Sequence, residues 1–414
     1  MSNGIFINKI NVKEVRNIKE IDIPLSESSR KHLILTGRNG SGKTTLLLEI
    51  NRFLENVFNG QYANWDRQKT NLMNLESNLK QLQSRSPAED DPNFVQAKRS
   101  VEQTKKWFER FGGLEIGFSR NIELQDKAQQ GEFLIAYFDA KRTTSITVPS
   151  GINKVSLKDK YQPKERANTA FLQYIVNLKA ERSFARDDQD EKEVTRIDEW
   201  FSRFEKRLGE ILEAPELSLI FDRKNYNFKI DVNGREPYTL SELSDGHSAI
   251  LSILTELILR METKSNASYN MQGIVLIDEI ETHLHVDLQK KVLPFLGDFF
   301  PNLQFIITTH SPFVLSSIEN SVVCDLQNRI VTEDLSGYSY DALIESYFSS
   351  NKYSELLIEK INKFEELANN RTKEDQAEYH HLKNYLSHLP KYLSKELHVK
   401  LQQIELSLLN EKGE

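Results

Sequence analysis

The segment Gly37–Thr44 reads GRNGSGKT and decides the fold of this chain. It matches the pattern G-x-x-x-x-G-K-[ST], in which glycines let backbone N–H groups curve around phosphate groups. The apolar run Lys31–Thr36 precedes it with the length of a strand, and the leucine-rich stretch Thr45–Phe53 follows with the composition of a helix. Because a helix N-terminus favours anions, this context predicts a phosphate-binding loop rather than an incidental glycine turn.

Two side chains of the loop carry specific chemistry. The Lys43 ammonium can reach the β- and γ-phosphates of a nucleotide, and the Thr44 hydroxyl can bind Mg²⁺. The predicted nucleotide-binding residues are Gly37, Arg38, Asn39, Gly40, Ser41, Gly42, Lys43, Thr44 and Thr45.

A second apolar run, Gly273–Ile277, ends in the two carboxylates Asp278 and Glu279. Ligands bind at strand ends in open α/β sheets, so these acids are candidates for the same site. We expect Asp278 to hold Mg²⁺ and Glu279 to polarise an attacking water molecule. A solvated strand end is the alternative for this pattern taken alone.

Two further segments are candidates for the same site, one before the acidic strand in the sequence and one after it. Leu243–His247 reads LSDGH and precedes an apolar helix predicted over 247–262, so its serine and glycine could present an anion site or an ordinary helix cap. Phe305–Thr309 is another buried-type strand, and it ends at His310. A histidine there could hydrogen-bond a γ-phosphate or the attacking water, or could be structural.

In this order the four segments resemble the motifs of ABC-type ATPases: Walker A, signature, Walker B with its catalytic glutamate, and switch histidine. The resemblance implies an α/β ATPase head with a mixed sheet, bound ATP and Mg²⁺, and catalytic roles for Glu279 and His310. It also implies a homodimer or higher homo-oligomer, in which the signature acts on the nucleotide of another copy. The signature residues are Ser244, Asp245, Gly246 and His247.

The chain departs from the ABC pattern at several positions. Asp245 replaces the usual first glycine of the signature, and His247 replaces the usual glutamine. The glutamine of the Q-loop has three candidates, all in one stretch: Gln125, Gln129 and Gln130. Glu281, His283 and His285 could be metal ligands or part of the D-loop region. Arg142 could be a functional arginine of this group or a plain charge at a strand end.

The ATPase head is predicted from three separate segments, 1–55, 112–150 and 215–335. Between them, leucine and phenylalanine spacings of three and four predict an inserted antiparallel helical hairpin over 56–111 and a helical lobe over 160–213. Residues 336–414 read as a polar, helical C-terminal region, with an apolar stripe that includes Phe348, Tyr353, Leu356, Leu357, Ile361, Phe364 and Leu367.

Composition excludes several classes of protein. Lysine and arginine number 54 against 61 acidic residues, so the net charge of −7 argues against a surface covered in basic charge. The single cysteine, Cys324, excludes an internal disulfide framework and a zinc site built from two of the chain's own thiolates. No apolar run approaches the ~18 residues of a spanning helix, so we expect a soluble cytoplasmic protein.

Within the ABC group, the closest resemblance is to the PtuA-like ATPases of Septu anti-phage systems and to retron-associated ATPases. It rests on LSDGHSAI, VLIDEIETHLH, TTHSPFVL and GYSYDALIESYF. The arms between Walker A and the signature are too short for SMC-like proteins, and the segment after His310 lacks the D-x-D of OLD nucleases. The resemblance implies work with a separate HNH-type (PtuB-like) nuclease on DNA. A RecF-like repair ATPase and a non-hydrolysing nucleotide-gated scaffold are the alternatives.

Two surfaces are candidates for partners. The second arm of the hairpin, residues 94–111, carries five basic and two acidic side chains, and could contact DNA or form a solvated helix face. The C-terminal region could dock the nuclease subunit, because the chain itself offers no nuclease motif. Its apolar stripe could equally pack on the chain's own core.

Overall fold

The computed structural model describes residues 4–85, 90–142, 147–265, 269–343, 355–369 and 376–388, with 399, 402 and 403. The strands are β1 (Ile7–Val15), β2 (Ile18–Pro24), β3 (His32–Thr36), β4 (Leu114–Phe118), β5 (Phe133–Phe138), β6 (Ser218–Asp222), β7 (Asn227–Asp231), β8 (Tyr238–Thr239), β9 (Gln272–Ile277), β10 (Leu303–Thr308), β11 (Ser321–Asp325) and β12 (Ile330–Glu333). The helices are α1 (Lys43–Phe58), α2 (Trp65–Gln83), α3 (Pro92–Glu109), α4 (Asn121–Gln130), α5 (Phe171–Asp187), α6 (Glu191–Ile211), α7 (Asp245–Ser265), α8 (Val286–Phe299), α9 (Pro312–Leu315), α10 (Tyr340–Ala342), α11 (Glu355–Asn369) and α12 (Gln376–Ser387).

The largest sheet has six strands in the order β12-β11-β3-β10-β9-β5. Neighbours from β11 to β5 run parallel, and β12 pairs antiparallel with β11 at one edge. Every residue of β3, β5, β10 and β11 is buried, as expected for a mainly parallel sheet covered on both faces. Because parallel strands end at the same edge, the carboxyl ends of β3, β10 and β9 lie side by side.

A smaller antiparallel sheet, β2-β1-β4, shares one apolar core with α1 and the larger sheet. Aromatic rings fill the core around α1, where the Phe53 ring lies 5.1 Å from that of Phe111 and 5.3 Å from that of Trp65, centre to centre. Such ring pairs add to the burial of apolar area. The predicted α/β class with a mixed sheet is confirmed.

The helices α2 and α3 form the short antiparallel hairpin that the leucine spacing predicts. Trp65, at the start of α2, packs edge-on against Phe108 near the end of α3, with ring centres 4.9 Å apart. Farther along, Lys105 pairs with Glu76 at 2.8 Å. Asp91 caps α3 by accepting backbone N–H bonds, so Pro92 begins the arm as its first residue.

Three details of the chain differ from the sequence reading. The stretch 185–193 is almost wholly charged, which predicts a solvated turn, but it is mostly helix, because α5 continues to Asp187 and the Asp190 side chain caps α6. The apolar runs within 112–148 predict strands alone, but a helix, α4, lies between β4 and β5. The apolar helix predicted from 247 starts at Asp245, so Gly246 and His247 lie in the first turn of α7.

The contacts divide the chain into two compact units, residues 1–338 and 339–414. In the second unit, α11 packs on α12 through a small apolar cluster that includes Phe364, Tyr379 and Leu386. Leu356 is 61% exposed. Phe348 and Tyr353, both in the predicted stripe, lie outside the described residues. Part of the stripe is therefore buried inside this unit. Among the described helices, none has the length and apolar character needed to cross a membrane.

Candidate functional site

The predicted phosphate loop leaves β3 at the sheet edge and turns directly into α1. Gly37, Gly40 and Gly42 have φ angles of +133°, +82° and +101°, which residues with a Cβ rarely adopt. No side chain caps the N-terminus of α1, so its first N–H groups are available to an anion. The loop thus has the backbone path that phosphate binding requires.

The Lys43 side chain folds back over this loop. Its Nζ donates to the carbonyl oxygens of Gly37 at 2.9 Å and Arg38 at 3.2 Å. Burial lowers the pKa of Lys43, while the nearby carboxylates of Glu279 and Glu281 act to raise it. The Lys43 ammonium is therefore close enough to the carboxylates that follow β9 to interact with them electrostatically.

The other loop residues differ in exposure. Arg38, Asn39 and Gly40 form the exposed tip, whereas Thr45 is half-buried at the start of α1. The Ser41 hydroxyl is buried without a hydrogen-bond partner among the described residues. Buried polar groups are normally paired, so this hydroxyl is suited to a ligand.

Thr44 and Asp278 meet at the adjacent strand ends. The Thr44 hydroxyl lies 3.0 Å from both carboxylate oxygens of Asp278. The Thr308 hydroxyl, from the end of β10, donates to Asp278 Oδ1 at 2.6 Å. A hydroxyl and a carboxylate oxygen are ligands that Mg²⁺ accepts when phosphates and waters complete its octahedron. These two residues fit the ion.

The alternative of a metal centre built from the protein's own side chains is wrong for the described residues. No group of three or more His, Cys, Asp or Glu side chains there could hold a metal ion. His283 is exposed, and His285 points to solvent beside Asp287, 3.6 Å away. These residues do not converge, because His283 and His285 are exposed whereas the Glu281 carboxylate turns inward and accepts the His310 N–H.

Glu279 begins the turn after β9 with an unusual backbone. Its φ is +44°, in the left-handed region that side chains other than those of glycine and asparagine disfavour. Its N–H donates to the Thr308 hydroxyl at 2.7 Å, and its carboxylate accepts from the Thr282 hydroxyl at 3.3 Å. The backbone of this residue is therefore fixed by contacts with β10.

Arg142 holds the same turn from the other side, and sequence reasoning left its role open. The side chain is buried, and it donates to the carbonyl oxygens of Asp278 at 2.9 Å, Glu279 at 2.8 Å and Ile280 at 3.2 Å. Burial lowers its pKa to about 10, which leaves it charged at neutral pH. It is not a plain surface charge at a strand end.

His310 follows β10 as predicted, and Glu281 holds its backbone. The His310 N–H donates to Glu281 Oε1, and Oε2 of the same carboxylate is buried without a partner among the described residues. Burial and the Lys43 charge lower the pKa of His310, so its ring is neutral at neutral pH. The charges of Lys43 and Glu281 thus both act on the His310 ring.

The predicted signature lies at the start of α7, which packs on the turn after β9. A Cβ on Gly246 would lie 2.7 Å from the His283 carbonyl oxygen, so this contact requires glycine. The Ser244 hydroxyl is 2.9 Å from His247 Nδ1. Burial lowers the pKa of His247, so the ring that replaces the usual glutamine is neutral at neutral pH.

The structure brings the phosphate loop together with the residues after β9 and β10. Within the described ranges, no hydrogen bond or ion pair joins the loop to Ser244, Asp245, Gly246 or His247. The glutamine candidates lie on α4, where Gln125 donates to the Tyr62 carbonyl at 3.3 Å and Gln129 lies beside Gly60. Those contacts are with the loop after α1, so they give no support to a role at the phosphate loop.

Comparison with known families identifies the family to which the chain belongs. The model of the family described as "AAA domain, putative AbiEii toxin, Type IV TA system" matches residues 33–316. The chain belongs to this AAA family. The matched range includes all four of the predicted motifs.

The chain is similar to a Septu protein and to two probable ATPases of retrons. The Septu protein PtuA of Bacillus mycoides is 26% identical over 359 residues, which cover 83% of this chain and 44% of PtuA. The Retron Vc95 probable ATPase of Vibrio cholerae is 23% identical over 87% of this chain and 84% of its own length. The Retron Ec83 probable ATPase of Escherichia coli is 35% identical over 28% of this chain and 20% of its own length.

The predicted resemblance to PtuA-like and retron ATPases is confirmed by these relatives. The chain spans less than half the length of PtuA and of the Ec83 protein, and most of the length of the Vc95 protein.

Proposed function

We propose that this chain binds ATP with Mg²⁺ and hydrolyses it to ADP and phosphate at the edge of the six-stranded sheet. The contact between Thr44 and Asp278 carries this proposal, because it joins the phosphate loop to an acidic strand end beside Glu279. The names of the two retron relatives, each a probable ATPase, support it.

Each residue has a distinct task in this proposal. The loop N–H groups and Lys43 bind the phosphates, while Thr44 and Asp278 hold Mg²⁺, which neutralises phosphate charge when bound. Glu279 orients the attacking water and accepts its proton. His310, neutral at neutral pH, donates a hydrogen bond to the γ-phosphate.

The Glu279→Gln variant tests hydrolysis. Removal of a general base commonly costs ~10²–10⁴ in rate, so the variant should lose turnover and keep ATP binding. Asp139→Asn is the matched control, because Asp139 also follows a strand of the same sheet but pairs with Arg166 at the surface. Wild-type turnover no greater than that of Glu279→Gln would make the chain a nucleotide-gated scaffold.

The nucleotide site is completed by a second copy of the chain, so the active form is a homodimer or a higher homo-oligomer. The resemblance to ABC-type ATPases assigns Ser244 and Gly246 of one copy to the γ-phosphate held at Lys43 of another. Among the described residues, no hydrogen bond or ion pair joins the signature to the phosphate loop of the same chain, which supports this arrangement. Closing two copies around ATP moves them as rigid bodies, which can control attached partners.

The chain serves as the ATPase subunit of an anti-phage complex and controls an HNH-type, PtuB-like nuclease. The PtuA and retron relatives support this role. A pull-down of the neighbouring gene product tests it, with the full chain compared with a chain that ends near Leu335. Loss of capture in the shorter chain is expected if residues 336–414 dock the nuclease. Equal capture would place the docking surface elsewhere, and no capture by either would favour the RecF-like alternative.

The basic face of α3 contacts the DNA on which the complex acts. Lys98, Arg99 and Lys106 are exposed, and no ion pair of the described residues engages them, whereas Lys105 pairs with Glu76. Exposed cations facing phosphates make binding depend on salt.

Charge reversal tests the DNA contact. Lys98→Glu with Lys106→Glu should weaken DNA binding and reduce the salt slope by about 2, because each phosphate contact contributes about 1. Lys80→Glu, on the other arm, is the control. Unchanged affinity and slope would leave α3 as a solvated helix face.

A further inference from the structure

Arg142 is a buried arginine whose side chain contacts the backbone on which Glu279 lies. It follows β5, the strand that pairs in parallel with β9, and it reaches over the end of β9. Its two terminal nitrogens donate to three successive carbonyl oxygens, those of residues 278, 279 and 280, at 2.8–3.2 Å. The first two of these carbonyls belong to the peptide groups on either side of the Glu279 Cα, and the third belongs to the next peptide group.

The backbone that Arg142 holds is strained. Glu279 has a φ of +44° without being glycine, asparagine or aspartate, and such positions are energetically unfavourable. They persist only where surrounding contacts fix them. Thr308 binds the Glu279 N–H, and Arg142 binds its carbonyl oxygen. The conformation of the Glu279 backbone is therefore fixed from both sides.

We infer that Arg142 is a positioning residue for Glu279: it holds the carbonyls of residues 278–280 so that the Glu279 carboxylate is aimed at the attacking water. This inference rests on the proposed hydrolysis of ATP. Arg142 acts through the backbone of Glu279, so its loss should slow hydrolysis and leave nucleotide binding intact.

A guanidinium is needed for this arrangement. It presents several donors in one rigid plane, so one side chain can serve three carbonyls, whereas a lysine offers a single nitrogen on a flexible stem. Burying the charge is costly unless it is compensated. Here the three carbonyl dipoles and the nearby charges of Glu281, Asp278 and Glu279 compensate it.

Arg166 provides a matched control because it also contacts the end of β5. It donates to the Tyr137 carbonyl at 2.8 Å and to Asp139 at 3.2 Å, close to the end of β5. Among the described residues it forms no hydrogen bond with the turn after β9, and its side chain is 34% exposed. Both arginines stabilise the region after β5, but only Arg142 touches the backbone of Glu279.

The experiment compares Arg142→Ala, Arg142→Lys and Arg166→Ala in the full-length protein. ATP turnover and the affinity for ATP are measured separately. A misplacement of about 1 Å at a catalytic group can cost 10²-fold, so both Arg142 variants should lose about that much in kcat. Arg166→Ala should retain wild-type kcat, and ATP affinity should stay within about threefold in every variant.

A double-mutant cycle with Glu279→Gln separates positioning from general stability. If Arg142 acts through Glu279, Arg142→Ala should cost little more once the carboxylate is gone. Added guanidinium ion should partly restore Arg142→Ala and leave Arg166→Ala unchanged. Arg142→Lys keeps the test valid if the alanine variant fails to fold.

Two results would overturn the inference while leaving ATP hydrolysis in place. One is wild-type turnover in Arg142→Lys and Arg142→Ala. The other is an equal loss on the wild-type and Glu279→Gln backgrounds, which would make the arginine structural. Wild-type turnover no greater than that of Glu279→Gln would instead contradict the proposed function itself.

Discussion

The phosphate loop and the turn after β9 meet at the same sheet edge, yet they keep their shapes by different means. The loop places its positive φ angles at Gly37, Gly40 and Gly42, where no Cβ opposes them. The turn places positive φ at Glu279 and His283, where a side chain must be accommodated.

This difference shows where each half of the site is encoded. The loop depends on residues within a few positions of one another, so its shape follows from local sequence. The turn depends on Arg142 and Thr308, which are distant in the chain and arrive on neighbouring strands. Local substitutions should therefore perturb the loop, and remote ones should perturb the turn.

Removal of the Thr308 hydroxyl should produce the largest effect. Thr308→Val loses the bonds to Asp278 and to the Glu279 N–H. It leaves that N–H unpaired and leaves Asp278 with only its bonds to Thr44, at a cost of about 1–3 kcal/mol in unfolding free energy. Turnover should fall about 10²-fold because Glu279 is displaced. Thr308→Ser retains the hydroxyl and should keep both properties. Equal behaviour of the two variants in denaturant melts and ATPase assays would show that the hydroxyl is dispensable.

His32 lies on β3, the strand that leads into the phosphate loop, and it should make the free energy of unfolding depend on pH. This buried ring accepts the Phe305 N–H at 3.0 Å, and burial lowers its pKa to about 4, below the value of 6.5 in an unfolded chain. Between pH 6.5 and pH 4, His32 binds a proton in the unfolded chain but not in the folded protein. The contribution of His32 to the free energy of unfolding is therefore fully present above pH 6.5. About 2 kcal/mol of it should be lost by pH 5.

The His32→Gln variant isolates that contribution. Its amide oxygen can accept the same N–H, but it does not titrate. Denaturant melts at pH 7 and pH 5 should show a smaller pH difference for the variant than for the wild type. The same pH difference in both proteins would remove His32 as a cause.

Alanine substitutions at two glycines of the loop should differ in how much they lower the free energy of unfolding. This difference should be smaller than the two effects above. A Cβ on Gly42 would lie 2.7 Å from the Ile18 side chain at a φ of +101°, whereas a Cβ on Gly40 would meet nothing within 4 Å at +82°. Gly42→Ala should cost about 2 kcal/mol and Gly40→Ala about 1 kcal/mol, since both positions are left-handed. Melting temperatures and ATP affinities measure the order. A greater loss for Gly40→Ala would contradict this account of the loop.

Sequence alone predicted what is locally encoded. The loop, the strand ends at Asp278 and His310, and the helical hairpin follow from glycine spacing, apolar runs and heptad spacing. The fold class follows from the order of these elements.

The remainder depends on contacts that no local pattern records. Helix α4 was missed because its stretch is polar and only Leu124 and Ala128 are buried. Strand β12 has only four residues and none of them is buried, so no apolar run marks it in the sequence. The roles of Arg142 and Thr308 depend on strand order, which places them beside residues far away in the chain.

The central claim, a nucleotide site shared between copies, is tested most directly by mixing two inactive chains. A Lys43→Ala chain keeps its signature, and a Ser244→Arg chain keeps its phosphate loop, so a mixed dimer contains one complete site. Each variant alone should be inactive, and co-expression should restore about a quarter of wild-type ATP turnover, since half of the dimers are mixed and each has one working site. A co-expressed pair as inactive as either variant alone, or wild-type turnover in the Ser244→Arg protein by itself, would contradict the shared site.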